Sequence, residues 1–171
     1  MVSWTARLFR SAVCTMAAAW LLSAHPAPAL DRQESLDWLD LPRLRAELLA
    51  RVNVERRAAG APPLQADVRL DCAAQEHAET LASYGIYTHT APGGPNLGAR
   101  ARSSGYAWAA LAENLMERET TAEAVMNAWL HSPPHRRNLL DPRYTEMGVG
   151  IALVREQQGY RVVWVQDFGS R

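Results

Sequence analysis

The chain contains no lysine: all 18 of its basic residues are arginine, set against 18 acidic ones. With no ε-amino group, Schiff-base chemistry and lysine nucleophiles are excluded. Cysteine is nearly as scarce. Of Cys14 and Cys72, the first falls inside an N-terminal export signal, so the mature chain is expected to keep Cys72 alone and to form no internal disulfide. Cys72 lies among Leu70, Ala73 and Ala74 on a helical pattern, which reads as a buried, inert thiol. HExxH and GxSxG are absent, and Gly93-Gly94 does not follow a strand as a phosphate-cradling loop requires. Zincin, serine-hydrolase and nucleotide-binding readings therefore rank low. There are no internal repeats and no low-complexity tracts.

Long apolar runs are missing too. The longest spans about Ser11 to Ala24, short of the roughly 20 residues that cross a bilayer. Arg7 and Arg10 precede it and Ala27-Pro28-Ala29 follows, which is the layout of a cleavable signal over residues 1–29. Cys14 is inside the apolar run and follows the bulky Val13, so lipidation is discounted. The protein is thus expected to be exported, periplasmic or extracellular, with no stable membrane anchor after cleavage. About 140 residues then remain, enough for one domain with a single substantial core. Cleavage removes two arginines and no acids, leaving a net charge of about −2, which argues against a nucleic-acid partner.

A lead-in over 30–40 precedes a domain expected at 41–171. A first helix starts at Asp40, with Pro42 in its first turn and Leu44, Leu48 and Val52 on one face, and stops at Gly60. A second runs from an Asp67 cap to Gly85, with Leu70, Ala74, Ala78 and Leu81 as its buried stripe. The glycines and prolines of 91–98 mark a loop, and a short helix follows from Asn96 to Gly105. Thr120-Thr121-Ala122-Glu123 has capping-box spacing and opens a third long helix, which Pro133-Pro134 ends. Near the C-terminus the apolar period moves toward two, over Met147–Val154 and Tyr160–Phe168, joined at Gln157-Gln158-Gly159 as a β-hairpin. Three long helices and a mostly antiparallel terminal sheet make an α+β layered domain.

Four histidines remain in the mature chain. His77 falls near the edge of the second helix's buried face and reads as packing or surface. His131 ends an exposed turn, at the negative end of a helix dipole. His89 and His135 stand at segment boundaries, with Ser132 a natural cap ahead of His135. The residues leave two readings of His135 open, a backbone hydrogen bond in a proline turn or a functional imidazole. Glu113-Asn114 is flanked by Leu111, Ala112, Leu115 and Met116, so the carboxylate is expected to be enclosed and to need a partner. Arg136, Arg137 and Arg143 form a local cationic cluster. Such a cluster would lower a nearby histidine's pKa and Glu113 would raise it, a contest the sequence leaves open.

Together these motifs resemble the CAP superfamily (SCP; cysteine-rich secretory protein, antigen 5 and pathogenesis-related 1) in its bacterial form. The matching pieces are Asn53-Val-Glu-Arg56, Ala73-Ala-Gln-Glu-His-Ala78, His89, Gly105-Tyr106, Ala112-Glu-Asn-Leu115, Trp129-Leu-His-Ser-Pro-Pro-His-Arg-Arg-Asn-Leu-Leu140, Met147-Gly-Val-Gly150 and Trp164-Val-Gln-Asp-Phe-Gly169. The resemblance implies a three-layer α-β-α sandwich with a central cleft of two histidines and two glutamates. His89, Glu113 and His135 match three of these. Ser132 stands where the second glutamate belongs, which reduces the tetrad to a triad.

Two imidazoles with Glu113 as a third ligand, or as a base on bound water, suit a labile divalent cation such as Zn²⁺. Asn114, Ser132, Arg136 and Asn138 are expected to support the cleft. Three functions follow. The first is a non-catalytic domain binding a metal or an extracellular ligand, whether protein, lipid or envelope component. The second is a metal-dependent hydrolase of peptide or cell-envelope material, with Glu113 as general base. The third is a lipid or sterol carrier, with Tyr84, Tyr87, Tyr106, Trp108 and Trp129 lining a groove. The missing glutamate favours the binding domain over the catalyst.

Overall fold

The computed structural model describes residues 40–157 and 159–171. The expected export signal, most of the lead-in and Gln158 of the hairpin turn lie outside the described residues. The elements follow one another as α1 (Leu41–Ala58), β1 (Gln65–Ala66), α2 (Val68–Tyr84), α3 (Leu97–Ser103), β2 (Ala110–Glu117), α4 (Ala122–His131), α5 (Pro133–Leu140), β3 (Glu146–Arg155) and β4 (Tyr160–Ser170). Among the described residues, no helix is long and apolar enough to cross a membrane.

The helix boundaries follow from local chemistry. Asp40 accepts a hydrogen bond from the Arg43 N–H at 3.0 Å, and Asp67 accepts from Arg69 N–H at 2.9 Å, each satisfying a free donor at a helix start. Gly85 ends α2 in the left-handed region, at φ 63°. Two start signals differ from the sequence reading. Thr121, not Thr120, caps α4 by accepting from Ala124 N–H at 3.2 Å, so Glu123 falls one position short of closing a capping box. Ser132 occupies the cap position of α5 but its hydroxyl makes no capping bond, and Pro134 removes one of the two N–H groups that a cap ordinarily takes.

The sheet has the order β1-β3-β4-β2, with β1 parallel to β3 and the other pairs antiparallel. It is mixed but mostly antiparallel, and helices cover both faces, giving the α-β-α sandwich. Side chains alternate between the faces. On one face Val162, Trp164 and Phe168 of β4 join Leu48, Val52, Val125, Trp129 and Leu139 of α1, α4 and α5. On the other, Leu115, Ala152, Val163 and Val165 pack on Ala74, Ala78 and Leu81 of α2. Leu70, Ala101 and Tyr106 extend that second face.

The two glycines of Met147-Gly-Val-Gly150 explain how closely α2 approaches. A Cβ at Gly148 would stand 2.1 Å from the Leu70 carbonyl carbon, and one at Gly150 would stand 2.2 Å from that of Ala74. Beyond the short β1, polar side chains replace a strand along the free edge of β3. Asp71 accepts from Val149 N–H at 2.7 Å, Gln75 exchanges two bonds with Ile151, and Arg45 Nε donates to the Val149 carbonyl at 2.7 Å. Arg56, fully buried, donates to the carbonyls of Pro62, Leu139, Asp141 and Tyr144 and fastens α1 to the far end of α5. Asn53 exchanges bonds of 2.9 and 2.7 Å with Leu64. The Asn-Val-Glu-Arg56 motif is therefore structural. Cys72 is half-buried and not fully enclosed as expected.

Candidate functional site

Glu113 and Asn114 stand in the middle of β2, at an edge of the sheet, and point to opposite faces. This divides the site into two networks that meet at the strand.

On the α2 face, the Glu113 side chain is 2% exposed. One carboxylate oxygen accepts from His89 Nδ1–H at 2.7 Å, and the other accepts from Arg100 of α3. Arg100, itself buried, also donates to the carbonyls of His89 and Pro95 at 3.2 and 3.1 Å. One guanidinium thus fixes both the carboxylate and the loop that carries His89. His77 of α2 lies beneath, its Nε2 4.0 Å from Glu113 and donating to the Thr88 carbonyl at 3.0 Å. Asp167 of β4 is the cross-strand partner of Glu113 and is fully buried, and its carboxyl oxygens meet no N–H donor.

On the opposite face, Asn114 is fully buried. It donates to the His135 carbonyl at 3.3 Å and to Gln166 at 3.2 Å, and accepts from Asn138 at 2.9 Å. Asn138 also donates to the Glu113 carbonyl at 3.3 Å. In this way α5 is held against the edge of β2, which brings His135 around toward His89. The His135 Nδ1 is buried and has no partner.

Electrostatics differ among the three imidazoles. The hydrogen bond to Glu113 raises the His89 pKa above the ordinary histidine value, against burial. Burial lowers His77, opposed by the Glu113 charge. Burial also lowers His135, helped by His89, which is close enough to act on it. Neither the arginine cluster nor Glu113 decides the matter for His135. Asp167 is raised well above the ordinary aspartate value, first by complete burial and then by the Glu113 charge.

A cavity of about 520 Å³ opens beside Glu113, lined by His89, Thr90, Asn96, Leu97, Gly98, Arg102, Trp108 and Glu113. Of the seven residues expected at the site, His89 and Glu113 line this cavity, while His135, Asn114 and Asn138 gather across β2, with His135 close enough to His89 to feel its charge. Ser132 contributes its carbonyl, which accepts from Arg136 N–H at 2.8 Å. Arg136 does not support the cleft. It is exposed on the far side of α5, where it lines a separate depression of about 640 Å³ with His131, Arg137 and Asp141. Arg143 is engaged with Asp141. The five aromatic residues read as a groove lining are dispersed: Tyr106 and Trp129 are core, Tyr84 and Tyr87 are exposed, and of the five only Trp108 lines the cleft.

Sequence reading missed Arg100, His77 and Asp167. His77 follows Ala74 and precedes Leu81 at helical spacing, so the signal was the buried stripe itself. Asp167 sits at an inward position of β4 by strict alternation from Val163 and Val165. Arg100 carries no such sign, since α3 is only seven residues long, with arginines at both 100 and 102 and no apolar stripe to mark which of them turns inward.

A divalent cation fits part of this donor set. With Nδ1 bonded to Glu113, His89 has Nε2 left to coordinate, and His135 has an unpartnered ring nitrogen. Both Glu113 oxygens are engaged, and among the described residues no group of three or more His, Cys, Asp or Glu side chains is placed to hold a metal ion.

The fold and this site define a class. Residues 49–168 match the model of the cysteine-rich secretory protein family, CAP, and the chain belongs to that family. A Bacillus subtilis relative, the protein YkwD, is 30% identical over 116 residues, covering 68% of this chain and 43% of its own. The crystal structure of an extracellular protein containing an SCP domain, from Bacillus anthracis, superposes with a TM-score of 0.69 at 21% identity, over 87% of this chain and 45% of that one. An outer surface protein of Borrelia burgdorferi gives 0.63 at 24% identity, over 74% and 91%. The chain spans less than half the length of the two Bacillus proteins, and the structural likenesses, at these identities, bear on the fold alone.

Proposed function

We propose that the protein is an exported CAP domain whose cleft binds a divalent transition cation loosely, through the imidazoles of His89 and His135, without catalysing a reaction. The observation that carries this is the Glu113–His89 hydrogen bond of 2.7 Å. A buried carboxylate behind an imidazole fixes its tautomer and ring orientation and raises its basicity toward a metal on the other nitrogen. Glu113 is thus the residue that aims His89, and the third donor foreseen from the triad becomes its support.

Two protein donors are fewer than the three of catalytic zinc sites or the four of structural ones, so the ion exchanges readily. A bound cation would supply Lewis acidity and open coordination positions for an extracellular ligand. The chain's own residues argue for binding over hydrolysis. Glu113 is charge-paired with Arg100 and donated to by His89, and a carboxylate held on both oxygens is a poor general base. Export rests on the signal-like residues 1–29 and agrees with the extracellular and outer-surface descriptions of the Bacillus anthracis and Borrelia proteins.

The test is a Zn²⁺ titration followed through the imidazole ¹⁵N resonances. His89 Nε2 and His135 shift together while His77 and His131 stay in place. Shifts confined to His131, or shared equally by all four, would refute a cleft site.

A further inference from the structure

The cation left over in the cleft is Arg102. Arg100, two residues earlier, is buried and neutralised by Glu113. Arg102 is exposed at the mouth, and among the described residues no carboxylate lies within ion-pairing distance of it. It does not swing freely, however. Its guanidinium carbon stands 4.8 Å from the centroid of the Trp108 ring, a cation–π arrangement that holds the plane of the group in place. Trp108 is fixed in turn, its indole N–H donating to the Gly98 carbonyl at 3.4 Å. A Cβ at Gly98 would meet the indole at 3.0 Å, so the ring lies directly on the α3 backbone. The result is a pre-oriented and unpaired guanidinium fork on the wall of a cavity of about 520 Å³, whose lining also includes the apolar Leu97 and the polar Thr90.

We propose that this cavity is a carboxylate-binding subsite, in which Arg102 receives the acid group of a small ligand whose body lies over Leu97 toward His89. The proposal rests on the cleft being the binding site, and names the chemistry of what enters it. A single free arginine matches a single negative charge, and its planar donors suit the two oxygens of a carboxylate. A phosphate dianion would find no second guanidinium in the lining, since Arg102 is the one arginine there and Arg100 is already paired with Glu113. The volume lies within the range of small-ligand sites. Two sources share this chemistry, a peptide C-terminus and a uronic acid.

The experiment follows the Trp108 indole N–H resonance, assigned through Trp108→Phe, during titration of the full-length mature protein. The probes are N-acetyl-alanyl-alanine and D-glucuronic acid, each beside its neutral amide, and inorganic phosphate. Metal is first stripped with a chelator that is then dialysed away, so that failure of the metal reading leaves this result untouched and no polycarboxylate competes for the subsite. At least one acid is expected to bind about tenfold or more tightly than its amide, as loss of a charge-assisted hydrogen bond implies. Whichever acid does so identifies the source. Arg102→Gln should bring that acid down to the affinity of the amide, Arg102→Lys should recover part of the loss, and Arg137→Gln, on the far side of α5, should change nothing. Equal binding of acid and amide, preference for phosphate, no response of the indole to any probe, or an undiminished acid affinity in Arg102→Gln would each overturn the proposal.

Discussion

At the scale of single residues, Glu113 does two opposite things to its neighbours' protons. It favours the charged form of His89 by accepting its hydrogen bond, and it disfavours the charged form of Asp167 by repulsion. Replacing Glu113 by Gln is therefore expected to bring the His89 pKa down toward or below the ordinary 6.5 from which it is raised. A ¹H–¹⁵N pH titration of the imidazoles checks this, and an unmoved His89 would mean the bond does not form in solution. Asp167 carries the opposite sign for stability. Its folded pKa is raised, so whatever it contributes is present below the unfolded carboxyl value and lost as pH climbs toward the folded one. The acid is thus a liability at neutral pH, and Asp167→Asn should raise the melting temperature there and not at pH values below the unfolded carboxyl pKa.

The same linkage applied to His77 and His135 gives an acid-side loss. Both pKa values are depressed by burial, so stability is full above about the ordinary histidine value and falls as pH drops below it. His89, being raised, works in the other direction over the window just above that value. Thermal melts across this range should show a net decline on the acid side, reduced in His77→Gln. Of these residues, His89, Glu113 and His135 were legible in the sequence because they stand at segment ends or inside an apolar bracket. Arg100 was not: a buried arginine on a seven-residue helix looks in sequence like any solvated one, and only the tertiary approach of Glu113 reveals it.

At the scale of elements, α1 and α2 were readable from caps and periodicity, since each has one wet and one dry side, and the β3–β4 hairpin from two valine-rich apolar runs joined at Gln157-Gln158-Gly159, although both of its faces are buried. The strand β2 was not. Leucine and alanine at 111 and 112, then leucine and methionine at 115 and 116, break the alternation, because helices cover this strand on both faces and apolar residues serve at successive positions. The polar pair at its centre is where two helix layers are gripped. Asn114→Ala would remove three hydrogen bonds joining β2 to α5 and β4, and is expected to cost roughly 2–3 kcal/mol in chemical denaturation and to broaden the His135 resonances. Gly148→Ala should cost about 3 kcal/mol or more, since its methyl group would meet the backbone of α2 and not a side chain that can move aside.

At the scale of the whole molecule, the layered architecture was legible because the hairpin and the amphipathic helices can bury their apolar sides only against one another. The two-residue β1 and its parallel pairing with β3 were not, being too short to leave a periodic trace. The arrangement explains why the cleft sits where it does. At the edge strand β2, α3 and its loop from one layer and α5 from the other reach the same residue, Glu113. His89 and His135 come from opposite layers, so a shared ion would tie the sandwich together across its edge.

That shared ion is most directly tested by isothermal titration of Zn²⁺ into the mature protein above the histidine titration range. One site per chain is predicted for the wild type, an affinity about tenfold or more weaker for Glu113→Gln as expected of a lost supporting bond, and no cleft binding for His89→Ala combined with His135→Ala. Equal affinities in the wild type and the double variant would contradict the account.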